Sequence, residues 1–333
     1  MGRRPLLLLT AAVMVACSDP APPAAPSVST SESPASDVIV ADLLAAEPVV
    51  DPSGGESYVN PGLVAEQGGR LHMLTNSFTG YPGASFVSHF TSRDGIEWEK
   101  AGGPVLRNTQ VPDALETFTT AFLTTGYRDA SGWVVYGYTY EGESTEGFIW
   151  RATATSLGGP WRVDQDPALE HGDEGAWDAV RVAEPSIVRT DEGFRMYYTG
   201  FDDADVARIG VATSSDGVTW TKQPGPVFEG GQEWDGGSVG NPQVVATSGG
   251  LVMAYRTEAG SFGFGLARSD DGTSWEPSEA NPIMSEDRSP GGEPFWQSEA
   301  TFVGGELRWW LEVGFASDST HLYAYRIDLD EAW

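Results

Sequence analysis

Three stretches of this chain, Ser92-Arg-Asp-Gly-Ile-Glu-Trp98, Ser214-Ser-Asp-Gly-Val-Thr-Trp220 and Ser269-Asp-Asp-Gly-Thr-Ser-Trp275, agree at their first, third, fourth and seventh positions. A fourth, Thr155 to Trp161, keeps the spacing as Thr-Ser-Leu-Gly-Gly-Pro-Trp. The tryptophans at 98, 161, 220 and 275 set a period of 55 to 63 residues, and a repeat of that length stands for one supersecondary unit stacked on its neighbours. A Pro with apolar neighbours follows each Trp: Pro104-Val105-Leu106, Pro167-Ala168-Leu169, Pro226-Val227-Phe228 and, one residue later, Pro282-Ile283-Met284.

Within a unit the patterns are short and β-rich. Pro185 to Val188, Phe194 to Thr199 and Ile209 to Thr213 read as strands, and the Asp-Gly turn opens a fourth. No run of helical period exceeds two turns, which excludes a βα solenoid and leaves an all-β propeller blade of four strands. First strands are expected near Asn60, Thr117, Glu184, Asn241 and Glu299, giving a five-bladed β-propeller. The last unit ends one strand short, His321 to Leu329 being its third strand. Val38 to Val40 with Glu47-Pro48-Val49-Val50 reads as the missing outer strand, so the N-terminal strand is expected to close the last blade and remove its free edge. The repeated Asp94, Asp216 and Asp271 are read as turn formers: an Asp-Gly turn needs a side chain that bonds the turn backbone and a residue tolerant of positive φ.

The ends and the charge narrow the function classes. Arg3 and Arg4, the apolar run Leu6 to Ala16 and small residues before Cys17 have the layout of an export signal. Met14-Val15-Ala16-Cys17 resembles the lipobox of bacterial lipoproteins, which implies a lipidated Cys17 and a protein held at the cell envelope on the extracytoplasmic face. The chain divides into a signal peptide (1–16), a Pro, Ala and Ser linker (17–37) and the propeller (38–333). Cys17 is the single cysteine, which excludes disulfides, thiolate metal sites and a cysteine nucleophile from the folded part. A formal net charge of -29 repels nucleic acid and anionic headgroups, so contact with a membrane is expected through the lipid anchor only.

Propeller ligands bind where the innermost strands begin. The Trp177-Asp178 and Trp234-Asp235 pairs, each beginning seven residues before the key position, align Glu184 with Asn241, and the apolar pairs that follow add Asn60 and Glu299. Blade 2 offers Thr119, with Glu116 and Asp113 upstream. Asn60-Pro61, Glu184-Pro185, Asn241-Pro242, Gly159-Pro160-Trp161 and Met196-Tyr197-Tyr198-Thr199-Gly200 resemble the five-bladed glycosidases of glycoside hydrolase families 43 and 32 and the mannoside phosphorylases of family 130. That resemblance implies a carbohydrate ligand or substrate and a glutamic general acid on blade 3, which falls on Glu184. Where those families carry an acid on blade 1 this chain has Asn60, and an amide cannot accept a proton in that role. Glycoside hydrolysis needs a second carboxyl group, and the candidates are Glu299, Glu116 and Asp178, in that order. Trp177, Tyr198, Trp296, Asn60, Asn241 and Arg256 are the expected sugar-binding groups, aromatic faces and planar hydrogen-bonding groups being what a sugar ring requires.

The histidines His72, His89, His171 and His321 lack zinc spacing, and no cofactor motif is present. Asp202, Asp203 and Asp205 could hold calcium, although a solvated acidic turn accounts for them equally. Three readings stay open: a glycosidase-like enzyme, a glycan-binding propeller that has lost its base, and a propeller that presents loops to a protein partner.

Overall fold

The computed structural model describes residues 40–52, 58–78, 85–111, 119–141, 147–259, 263–314 and 319–333. Cys17, Asp113 and Glu116 lie outside them. The described residues form five antiparallel sheets, the blades of a five-bladed propeller. The innermost strands are Tyr58–Gln67, Thr119–Arg128, Arg181–Thr190, Val239–Thr247 and Phe295–Val303. Each is followed by three more strands outward, the fourth being as short as two residues in blades 2, 3 and 4.

The repeat is a set of clamps between blades. In the first Asp-Gly turn Asp94 Oδ1 accepts the N–H groups of Ile96 and Glu97, each at 2.9 Å. Asp216 and Asp271 do the same for the two residues that follow each turn. The turn glycines Gly95, Gly217 and Gly272 have φ of 80°, 68° and 75°, a region that favours glycine. Their carbonyls face the preceding blade, where Trp310 Nε1 (3.0 Å), Tyr136 Oη and Tyr197 Oη (2.9 Å) donate to them. The repeat tryptophans Trp98, Trp220 and Trp275 meet the same three rings edge-on, with interplanar angles of 78°, 83° and 84°. Seven residues thus serve two purposes, turning the chain and fastening one blade to the next.

The Pro-apolar segments are explained too. Leu169 and Phe228 pair with the start of the third strand of their own blades through bridges to Ile149 and Ile209, and Met284 pairs with Phe264. Val50 pairs with Leu322 in the same way, so Val49 and Val50 end blade 5 although they lie near the other end of the sequence. The closing strand itself is Ala41–Leu43, against Ile327, Arg326 and Tyr325. It falls just after the expected Val38 to Val40, and its partner strand ends at Ile327. The buried apolar residues divide into five clusters, one at each blade-to-blade contact. Trp150, Trp309 and Trp310 are their largest wholly buried members. The core is a ring of seams, each sealed by side chains that stabilise by roughly 1.5 to 3 kcal/mol apiece when fully buried.

Candidate active site

Every inner strand carries a bulge, and in blades 3 and 4 it falls close to the start, at Glu184-Pro185 and Asn241-Pro242. Glu184 has φ of 53° and Asn241 of 50°. Asn tolerates the left-handed region; Glu does so at a cost of about 1 to 3 kcal/mol. A glutamate kept in that conformation points to a use for its side chain. The bulge turns the side chain out of the sheet alternation and toward the propeller axis, where it is held at three points. Thr199 Oγ1 and the Asn241 N–H each donate to Oε2 at 2.8 Å, and Arg256 Nη2 donates to Oε1 at 3.1 Å.

Arg256 Nη2 also donates to Glu258 Oε1. Arg256 and Glu258 sit two residues apart at the end of the second strand of blade 4, Gly250–Thr257, and so point the same way. Gly240, on the inner strand beside them, lets them approach: a Cβ there would meet Thr199 Cγ2 at 2.8 Å and Glu258 Oε1 at 3.0 Å. Two hydrogen bonds of ~3 Å to one nitrogen place the Glu184 and Glu258 oxygens within ~6 Å of each other. Burial pushes the Glu258 carboxyl up to about 7, against the opposing pull of Arg256 and with the Glu184 charge adding to the rise. Arg256 is 1 % exposed; burial alone would lower it, and the two carboxylates, Glu258 first, more than offset that and raise it, while its guanidinium lies 3.9 Å over the Trp296 ring.

These groups border a cavity of about 420 Å³. Glu184, Arg256 and Glu258 line it together with Asn60, Phe78, Phe122 and Tyr138 from blades 1 and 2, and with Phe201 and Trp296; the Tyr138 phenol lies within electrostatic reach of Arg256. Arg181 lies at the rim, stacked 3.6 Å over Phe201 and paired with Asp205 at 3.0 Å.

The structure brings Glu184, Asn60, Arg256 and Trp296 to one cavity. Asn241 lies beneath them, wholly buried, and passes its side-chain amide to Gln297 Oε1 at 2.9 Å. Glu299 is elsewhere. Counting back from the Gly304-Gly305 turn aligns it with Ser186, two residues beyond Glu184. There its Oε1 accepts the Val64 N–H of the next blade at 3.3 Å, as the Ser186 hydroxyl accepts Val244 N–H at 3.0 Å. Burial raises the Glu299 carboxyl well above its usual range, and the group ties blade 5 to blade 1. Trp177, Asp178 and Tyr198 do not border the cavity either. Asp178 accepts from Lys222 Nζ at 2.7 Å and Tyr198 Oη at 3.2 Å, and Trp177 stacks on Tyr198 against Gly200 and Gly210. In blade 4 Trp234 packs on Gly263 and Gly265 in the same way, so the Trp-Asp pair is a brace within the blade. Asp202 accepts from Arg208 and from the N–H groups of Ala204 and Val206, which is the turn role; among the described residues no three acidic, His or Cys groups are grouped to hold a metal ion.

Glu258 was not legible as a site residue, having no counterpart in the other repeats. Its one signal is the Arg-Thr-Glu spacing that puts Arg256 and Glu258 on one face of a strand.

No family model and no curated protein matches the chain. Solved structures do match its fold. A thermostable family-43 glycoside hydrolase superposes with a TM-score of 0.65 at 16% identity, over 84% of this chain and 91% of its own. A sucrose-6-phosphate hydrolase from Lactobacillus gasseri gives 0.68 at 14% identity, over 84% of this chain and 60% of its own. A family 32 β-fructofuranosidase from Bombyx mori, solved with sucrose, gives 0.62 at 13% identity, over 84% and 61%. The chain has the five-bladed propeller fold of these glycoside hydrolases.

Proposed function

We propose that this protein is a glycosidase-like enzyme acting on a sugar bound in the cavity bordered by Glu184 and Glu258. The observation that carries the reading is the pair itself: two carboxyl groups in one cavity whose surroundings treat them differently. Such pairs assign acid and base. Glu258, raised to about 7, retains a proton near neutrality to give to the leaving oxygen. Glu184, facing three donors, acts as the carboxylate. The general-acid role expected of Glu184 therefore passes to Glu258. Their separation of at most ~6 Å is nearer the ~5 to 5.5 Å of retaining enzymes than the wider gap that admits a water, which supports direct attack by Glu184. The likeness of fold to glycoside hydrolases supports the same class of reaction.

The test is release of reducing sugar from a panel of oligosaccharides by wild type, Glu258→Gln and Glu184→Gln. Each substitution is expected to lower kcat by about 10² or more, and wild-type kcat/KM is expected to fall as pH rises above about 7 while Glu258 loses its proton. Turnover undiminished in both variants would sink the assignment.

A second reading has its own support. Arg256 ties both carboxylates down, and Asn60 stands at the blade 1 position, as in a propeller that binds glycans without cleaving them. Sugar binding by calorimetry with no turnover on any substrate would establish it. In either case the lipobox-like segment supports attachment through Cys17 outside the cytoplasm; Cys17→Ala is expected to abolish labelling by radioactive palmitate.

A further inference from the structure

One position of the second strand has the same task in three blades. It lies across from the neighbour of the axial residue: Thr199 pairs with Ala183, beside Glu184, and Arg256 pairs with Gly240, beside Asn241. In blade 5 Val313 pairs with Phe295, so Glu312, one step back, lies across from Trp296, beside Gln297. Each of the three grips what lies at the axis. Thr199 Oγ1 donates to Glu184 Oε2 and accepts the Asn241 N–H at 3.0 Å, and Arg256 donates to Glu184 Oε1. Glu312 Oε2 accepts the Gln297 N–H at 3.3 Å, and the side chains of Thr320 and, from the next blade, Asn60 bond the same carboxyl group.

The chemistry of Glu184 and Glu258 makes no use of this third buried carboxyl. Glu312 is 1 % exposed and stands behind the site: Asn60 borders the cavity and Glu312 does not. Arg256 is the charged group whose field reaches it. The bond with Asn60 favours the ionised carboxyl, which makes the amide the donor, through Nδ2. The other edge of the amide is left over. Asn60 Oδ1 is buried and has no donor among the described residues, although buried acceptors are seldom left bare. An amide held at neither edge turns about a broad, two-fold torsion and presents oxygen or nitrogen alike. Held by its nitrogen it presents oxygen, and a hydroxyl group of a ligand in the cavity is the donor that oxygen lacks.

We infer that Glu312 is a positioning residue of the glycoside site: it holds Asn60 by the amide nitrogen, so that Asn60 Oδ1 accepts one hydroxyl group of the bound sugar. This rests on the reading of the cavity as a glycoside site. The experiment is calorimetric titration of the wild-type protein with methyl 1-thioglycosides of xylose, arabinofuranose, glucose, galactose and mannose, which resist hydrolysis. The sugar that binds and its monodeoxy analogues are then titrated into Asn60→Ala, Glu312→Met, Glu312→Gln and the double variant Asn60→Ala with Glu312→Met. One deoxy analogue is expected to bind wild type about fivefold more weakly than its parent, the effect of one lost hydrogen bond. That penalty is expected to shrink below about twofold in both Asn60→Ala and Glu312→Met. Glu312→Met is expected to weaken the parent sugar about fivefold in the wild-type background and less than about twofold in the Asn60→Ala background. Glu312→Gln keeps an accepting oxygen and is expected to recover most of that loss. A carboxyl group with a merely structural role would weaken every analogue alike, with or without Asn60. That pattern, or a deoxy penalty that survives in a folded Glu312→Met, overturns the inference and leaves the glycoside reading standing. Should Glu312→Met not fold, the Asn60 side-chain amide signal, assigned by its loss in Asn60→Ala, is compared between wild type and Glu312→Gln by nitrogen–proton correlation spectra. It is expected to move, and an unmoved signal overturns the inference. If no sugar binds the wild-type protein, the glycoside reading itself fails and the inference with it.

Discussion

Arg256 is the residue on which the site turns, because one nitrogen bridges two carboxylates from different blades. Removing it would leave Glu184 and Glu258 facing each other with no cation between them. Arg256→Met is therefore expected to destabilise the protein by about 3 to 5 kcal/mol, read as a lower urea midpoint, and adding Glu258→Gln is expected to restore part of the loss. If Arg256→Met unfolds at the wild-type midpoint, the bridge carries no weight. The sequence showed Arg256 near the axis and gave no means of pairing it. The link from Glu184 to Arg256 joins two blades across 72 positions, and only the closed ring makes them neighbours.

At the scale of the strand and turn, the Ser-x-Asp-Gly-x-x-Trp hairpin is the unit that repeats, and its glycine carbonyl is the point where blades meet. Tyr197→Phe deletes the donor to Gly272 O and leaves a buried acceptor bare. The expected cost is about 1 to 3 kcal/mol, measured by chemical denaturation with unchanged circular dichroism; no change would show that the edge-on ring contact alone holds the seam. Blade number, strand order and closure by the N-terminal strand were legible because this hairpin and the Pro-apolar segment depend on local chemistry that the sequence spells out. Register was less so. An inner strand with a bulge and one extra paired residue shifts its alignment, and so Glu299, whose neighbours Phe302 and Val303 resemble the other blades, fell two residues from the axial position. Trp177 and Asp178 misled for a related reason: a residue that precedes the funnel in sequence can still pack inside the blade.

At the scale of the whole fold, three carboxyl groups among the described residues, Glu258, Glu299 and Glu312, are raised by burial, Glu258 to about 7 and Glu312 to about 8. A carboxyl group whose folded value lies above its unfolded one contributes stability that is complete below the unfolded value and lost as pH rises through the folded one. The contribution is thus full below about 4.5, falls through about 7 and 8, and the repulsion within a net charge of -29 grows in the same direction. The melting temperature is expected to be highest in mild acid and about 5 °C or more lower at pH 9; a maximum above pH 8 would contradict it. Closure of the ring has a different consequence, in time rather than energy. The pairing of Asp42 with Arg326 spans 284 positions. A chain emerges from its N-terminus onward, whether from the ribosome or from an export channel, so the strand Ala41–Leu43 must wait without a partner until the strand His321–Ile327 has followed it. Four blades can assemble as they emerge, but the circle is sealed only by a finished chain, and any product that stops before His321 is left with its opening strand unclaimed.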